Sequence, residues 1–80
     1  MKQPVFIGGA YVNGDLIVSI VDAVCPQAKK LVKAAKERDN LLDFTCGESR
    51  GAVILLNDNR IILSHMTPHE IVGGMKEKEN

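Results

Sequence analysis

Val5-Phe6-Ile7 is a short apolar run ended by Gly8-Gly9, and Ala10-Tyr11-Val12 resumes it before Asn13-Gly14-Asp15, a strong turn signal. Two short strands are predicted there. Leu16 to Val21 is β-branched and apolar almost without alternation, the pattern of a strand covered on both faces. The period then changes. Pro26 stands where a first-turn proline belongs, and Ala28, Leu31, Val32 and Ala35 fall at i, i+3, i+4 and i+7, the stripe of an amphipathic helix. That helix runs to about Arg38. Asp39-Asn40 is its stop, with Asn the residue that tolerates the left-handed conformation.

Leu41 to Thr45 is a candidate strand, and Gly47 to Gly51 has the glycines and polarity of a loop. Ala52 to Leu56 and Arg60 to Ser64 flank Asn57-Asp58-Asn59 and predict a β-hairpin. Thr67-Pro68-His69-Glu70 offers an N-cap, a first-position proline and a first-turn acid, so a short helix starts there and Gly73-Gly74 ends or weakens it. The division is a single domain over 1–75 and a charged tail, 76–80, expected to fray. The predicted class is α+β: a small antiparallel or mixed sheet, one amphipathic helix in the middle and a short C-terminal helix.

Size changes this picture. At 80 residues the chain buries only about 60% of the surface its unfolded form exposes, and two helices are too few to cover strands that are apolar at nearly every position. A neighbouring copy is the expected cover, so a stable homo-oligomer is predicted. With 45% hydrophobic and 4% aromatic residues the core is built from Val, Ile, Leu and Ala. Lys and Arg total 10, as do Asp and Glu, and this neutrality weighs against a free-standing nucleic-acid binder that relies on cationic excess.

Cys25 and Cys46 are far apart and form no CxxC pair, which points away from a disulfide framework or zinc ribbon and toward a reducing, cytoplasmic setting. The first apolar run is too short for a signal-peptide core or a membrane span. His65 and His69 have the spacing of a helical zinc pair, but Pro68 marks an element boundary between them and no HExxH pattern surrounds them. The glycine loops match neither GxxxxGK[ST] nor GxGxxG entering a helix. Asp15, Asp22, Asp39, Asp43 and Asp58 are scattered at turns and element ends, with no pair arranged for acid and base work. The chain therefore reads as no enzyme, with no cofactor, bound metal or small-molecule substrate.

Its cationic groups are the candidate chemistry. Lys29, Lys33 and Lys36 fall within a narrow arc of the helical wheel, with Lys30 beside them and Glu37 in the same sector. Arg50 is a lone arginine in a glycine-flanked loop, from which a guanidinium can reach a phosphate or a minor groove. Arg60 opens the last predicted strand.

From Phe6 to about Val72 the sequence resembles the RemA-like matrix regulators. The resemblance is carried by Ile7-Gly8, Ile17 to Val21, Lys29 to Val32, Ala35 to Arg38, Leu41 to Gly47, Ala52 to Ile54 and Ile61 to Ser64 before Pro68, in order and spacing together. It implies a cytoplasmic bacterial protein that assembles into a homo-oligomeric ring, binds double-stranded DNA through repeated loop arginines and activates biofilm-matrix genes, with no cofactor and no membrane partner. A ring would multiply one weak contact by its subunit number. The DNA-contact set on this reading is Arg50, Lys29, Lys30, Lys33, Lys36 and Arg60. The chain departs from the family where an arginine-rich stretch usually follows the position of Cys46-Gly47: here the residues are Glu48-Ser49-Arg50-Gly51, and a second family arginine falls at Leu16. The alternative is a paralogue that keeps the ring, does not bind DNA and acts as a protein-binding scaffold.

Overall fold

A computed structural model describes the backbone of residues 3–78 and the side chains of residues 3–74. β1 (Pro4–Phe6) and β2 (Tyr11–Asn13) form an antiparallel hairpin. A single 3-10 turn, Gly14–Leu16, follows, with the Asn13 side chain accepting the Asp15 N–H at 3.0 Å. β3 (Ile17–Asp22), α1 (Pro26–Glu37), β4 (Leu41–Asp43), β5 (Ala52–Leu56), β6 (Ile61–Ser64) and α2 (Pro68–Lys78) complete the order. The predicted α+β class holds. The main sheet is mixed, ordered β3-β5-β6-β4, with β4 parallel to β6 and the other pairs antiparallel.

Each predicted terminus has its chemistry. Thr67 and Glu70 form a capping box: the Thr67 hydroxyl accepts the Glu70 N–H at 3.2 Å and the Glu70 carboxylate accepts the Thr67 N–H at 2.9 Å. At the end of α1 the Asn40 N–H reaches the Ala35 carbonyl at 2.9 Å and the Asp39 N–H reaches that of Lys36 at 3.3 Å, a Schellman closure. The left-handed residue is Asp39 (φ 59°), one position before the Asn expected to take that role. The β5–β6 connection is a three-residue loop, and Asn59 (φ 70°) takes its left-handed position.

The sheet separates two apolar clusters. Ala28, Val32 and Ala35 of α1 pack on Val53, Ile61 and Leu63 on one face. On the other, Val5 and Ile7 from the hairpin and Ile71 from α2 pack on Ala52, Ile54, Leu56 and Ile62. This corrects the expectation that β5 and β6 need a neighbouring copy, because the β1–β2 hairpin folds over as a third layer and β6 is buried throughout. β3 is an edge strand with no fully buried residue, although Ile20 and Val21 reach opposite clusters. A register shift between Ile17 and Ser19 leaves Val18 62% exposed. α2 continues through Gly73 and Gly74 to Lys78 rather than ending at the glycine pair. Residues 79–80 of the expected tail lie outside the described residues.

One buried hydroxyl bolts the third layer to the sheet. Ser64, fully buried, donates to the Ile7 carbonyl and accepts the Met66 N–H at 3.0 Å. Ser64→Ala removes the hydroxyl that satisfies both groups in an apolar setting and is expected to cost about 1–3 kcal/mol, read as a lower denaturation midpoint with an unchanged m-value.

Candidate nucleic-acid interface

The loop joining β4 to β5 is held at both ends. Phe44 donates its N–H to the Leu63 carbonyl at 3.0 Å, and the Asp43 carboxylate accepts the Thr45 N–H at 2.9 Å and the Thr45 hydroxyl at 2.7 Å. Cys46 (φ 57°) and Gly47 (φ 84°) make a tight turn closed by the Glu48 N–H on the Thr45 carbonyl at 3.1 Å. At the far end the Gly51 N–H donates to the Ser64 carbonyl at 2.7 Å, and the Gly51 carbonyl accepts the Ala23 N–H at 3.2 Å. Arg50 is therefore anchored one residue before a fixed point, with its side chain exposed.

The first glycine turn belongs to the same end of the molecule. A Cβ on Gly9 would stand 3.2 Å from Cys46 Sγ and 3.3 Å from the Phe44 carbonyl oxygen, so the two loops touch. Gly8 (φ 107°) lies under the His65 ring, whose Nε2 would be 2.5 Å from an added Cβ. Tight turns explain these glycines.

Electrostatically this end is mixed. The Thr45 hydroxyl and N–H hold the Asp43 carboxyl below its ordinary value, and the nearby positive charges of Arg50 and Lys36 act in the same direction. Asp58 is lowered by the Arg60 N–H and guanidinium, and Glu70 by Thr67. Lowered carboxylates add stability that is fully present above their unfolded values, 3.8 for Asp and 4.5 for Glu, and is lost as pH falls through the lower folded values. Stability is thus expected to drop on acidification below about pH 4.5. A Thr45→Ala variant should flatten that drop, which thermal melts across an acid series measure.

The structure leaves most of the predicted cations exposed and pairs one of them. Leu31, Ala34 and Arg38 of α1 line a hollow with Leu55, Asn59 and Ile61 at the β5–β6 turn. The lysines project from the rest of the helix surface: Lys29, Lys30, Lys33 and Lys36 are all exposed. Arg60 sits at the opposite end of β5 from Arg50, about 15 Å of strand away, in an ion pair with Asp58 at 2.6 Å. Sequence reasoning treated Asp43 as one of several scattered acids; the Asp-x-Thr spacing, which lets the carboxylate bond two residues on, was the available signal. Cys25 caps α1 without a side-chain bond to the helix backbone, its thiol donating instead to Gln27 Oε1 at 2.9 Å, and Cys46 is exposed. Among the described residues no three His, Cys, Asp or Glu gather as a metal cluster, and no helix is long and apolar enough to cross a membrane.

The family model described as RemA-like, extracellular matrix regulatory protein A-like, matches residues 6–73. The chain belongs to the RemA-like family. Among its relatives is a protein of Lachnoclostridium phytofermentans, 30% identical over 81 aligned positions that span 100% of this chain and 89% of the relative. Another, of Synechococcus elongatus, is 34% identical over 65 positions covering 81% of this chain and 75% of the relative. A third, of Bacillus cytotoxicus, is 33% identical over 72 positions covering 90% and 83%. Each is named a "Putative regulatory protein". The RemA-like match takes in both loops of the candidate interface and the whole of α1.

Proposed function

We propose that this chain is a cytoplasmic bacterial regulator of the matrix-gene type that self-assembles as a ring and binds duplex DNA through its phosphate backbone, without catalysis. Arg50 is the principal contact, with Lys29, Lys30, Lys33 and Lys36 adding positive potential from α1. The observation that carries the reading is that Arg50 stands exposed in a loop held by backbone bonds at both ends, with Lys29, Lys30, Lys33 and Lys36 all exposed along α1. Arg60 is the minor member, because its guanidinium is already paired with Asp58 at the other end of β5. With no net charge on the chain, affinity comes from repetition of a weak contact around an assembly.

The test is a titration with duplex DNA over a salt series. Backbone contacts predict log affinity falling linearly with log salt, with little dependence on DNA sequence. Affinity that is absent or indifferent to salt overturns the DNA reading. A second reading has its own support: Asp43 stays ionised beside Arg50, and Glu48 is exposed in the same loop, so this end also suits a cationic protein partner bound by a scaffold. Binding to such a partner without DNA binding favours it.

A further inference from the structure

Three segments meet at the end of the molecule that carries Arg50, and each pair of them touches through a glycine. The β6–α2 corner lays the His65 ring on Gly8 of the hairpin turn and sets the carbonyls of His65 and Met66 against Gly51 of the β4–β5 loop. The turn and the loop meet directly at Gly9, where an added Cβ would stand 3.2 Å from Cys46 Sγ and 3.3 Å from the Phe44 carbonyl oxygen. The turn itself is fastened: Ser64 donates its hydroxyl to the Ile7 carbonyl, and the Ile7 N–H reaches the Ala10 carbonyl at 3.0 Å.

The two glycines of that turn answer different demands. Gly8 has a φ of 107°, a backbone conformation that side chains disfavour. Gly9 has no positive φ, so other residues can adopt its backbone, and what it supplies is room for the loop. The loop uses that room at a defined point. Cys46, left-handed at φ 57°, turns its thiol back toward the Phe44 carbonyl at 3.8 Å and against Gly9.

A push at this contact has one direction in which to travel. On one side Phe44 is fixed by its N–H on the Leu63 carbonyl and by packing against the hairpin cluster, and Thr45 is buried with its N–H and hydroxyl both on Asp43. On the other, residues 46–50 are all exposed as far as the next anchor, Gly51, and nothing described lies within 4 Å of a Cβ placed on Gly47. That yielding span carries Arg50.

We infer that the β1–β2 hairpin sets the position of Arg50 through the contact of Gly9 with Cys46, which makes Gly9 and Cys46 positioning residues for the cation of the loop. The inference rests on the reading of Arg50 as a phosphate contact and adds the element that aims it. The hairpin also bears the uncovered apolar face of the molecule, with Phe6 47% and Tyr11 61% exposed, so a displacement of that element is felt at Arg50.

A double-mutant cycle in the full chain tests it. Gly9→Ala adds one methyl group at a permitted backbone angle, so far-UV circular dichroism is expected to show the fold retained. Its affinity for duplex DNA at fixed salt is expected to fall about fivefold or more, since the displacement is repeated in every copy of an assembly. In a Cys46→Ala background, which removes the sulfur, the same substitution is expected to change affinity by less than about twofold. A second arm needs no DNA: the rate of Cys46 alkylation by iodoacetamide, read by peptide mass against Cys25, is expected to rise in Gly9→Ala as the thiol leaves its contact. Equal affinity of wild type and Gly9→Ala, or the same loss in both backgrounds, overturns the inference and leaves the DNA reading standing. If the wild type shows no salt-sensitive DNA binding, the reading of Arg50 falls and the alkylation ratio decides the rest: unchanged, it overturns the hairpin's hold on the loop, and raised, it supports that hold.

Discussion

Gly51→Ala is expected to destabilise the fold by about 3 kcal/mol or more, the upper end of what overpacking costs, and to displace the loop that carries Arg50. A Cβ there would stand 2.5 Å from the carbonyl oxygens of both His65 and Met66 and 2.7 Å from the Met66 carbonyl carbon. These are backbone atoms and cannot rotate away as a side-chain tip can. Moving Gly51 instead would sacrifice its bonds to Ser64 and Ala23, which join the loop to β6 and to the entry of α1. In a domain of this size such a loss is a large share of total stability. Denaturant unfolding measures it. A midpoint equal to wild type would mean that the close approach of these backbones is not what holds the β4–β5 loop in place.

Arg50→Ala should abolish most DNA binding while leaving fold and assembly intact, because the side chain is exposed and has no hydrogen bond or ion pair among the described residues. Each copy loses a charge-assisted contact of roughly 1.5–3 kcal/mol at most, and an assembly touching several phosphates loses several such terms along with part of its salt slope. Glu48→Arg is expected to act in the other direction, removing a carboxylate that repels phosphate and adding a cation on the same turn. Affinity by fluorescence anisotropy over a salt series measures both. If the wild type shows no salt-sensitive binding and Glu48→Arg gains none, the Gly47 to Gly51 loop is not a DNA surface and the protein scaffold becomes the better account.

The features legible in the sequence are those whose chemistry closes within a few residues. Thr67 and Glu70 satisfy each other three positions apart, so the start of α2 could be read from its letters. The stripe of Ala28, Val32 and Ala35 foretold the buried face of α1, and Asn57-Asp58-Asn59 foretold the β5–β6 turn. The stop of α1 was read one residue late, since Asp and Asn both tolerate a left-handed backbone and only the Schellman bonds select Asp39. The glycine pair in α2 looked like a terminus because local propensity says nothing of a helix already capped and anchored through Ile71.

What the sequence by itself determined is the set of elements, their apolar faces and the roster of exposed cations, all consequences of local hydrogen bonding and periodicity. Where those cations stand was decided only by the tertiary structure. Arg50 and Arg60 are ten positions apart and look equivalent in sequence, but an intervening strand sends them to opposite ends of the sheet, where Arg60 meets Asp58. β4 lies alongside β6 in a parallel pairing that no turn dictates, and this fixes where the loop carrying Arg50 begins. The uncovered face arose in the same way. Phe6 and Tyr11 became exposed when the hairpin used Val5 and Ile7 to close the core, which leaves the alternate, outward-pointing positions of short strands to face away from it.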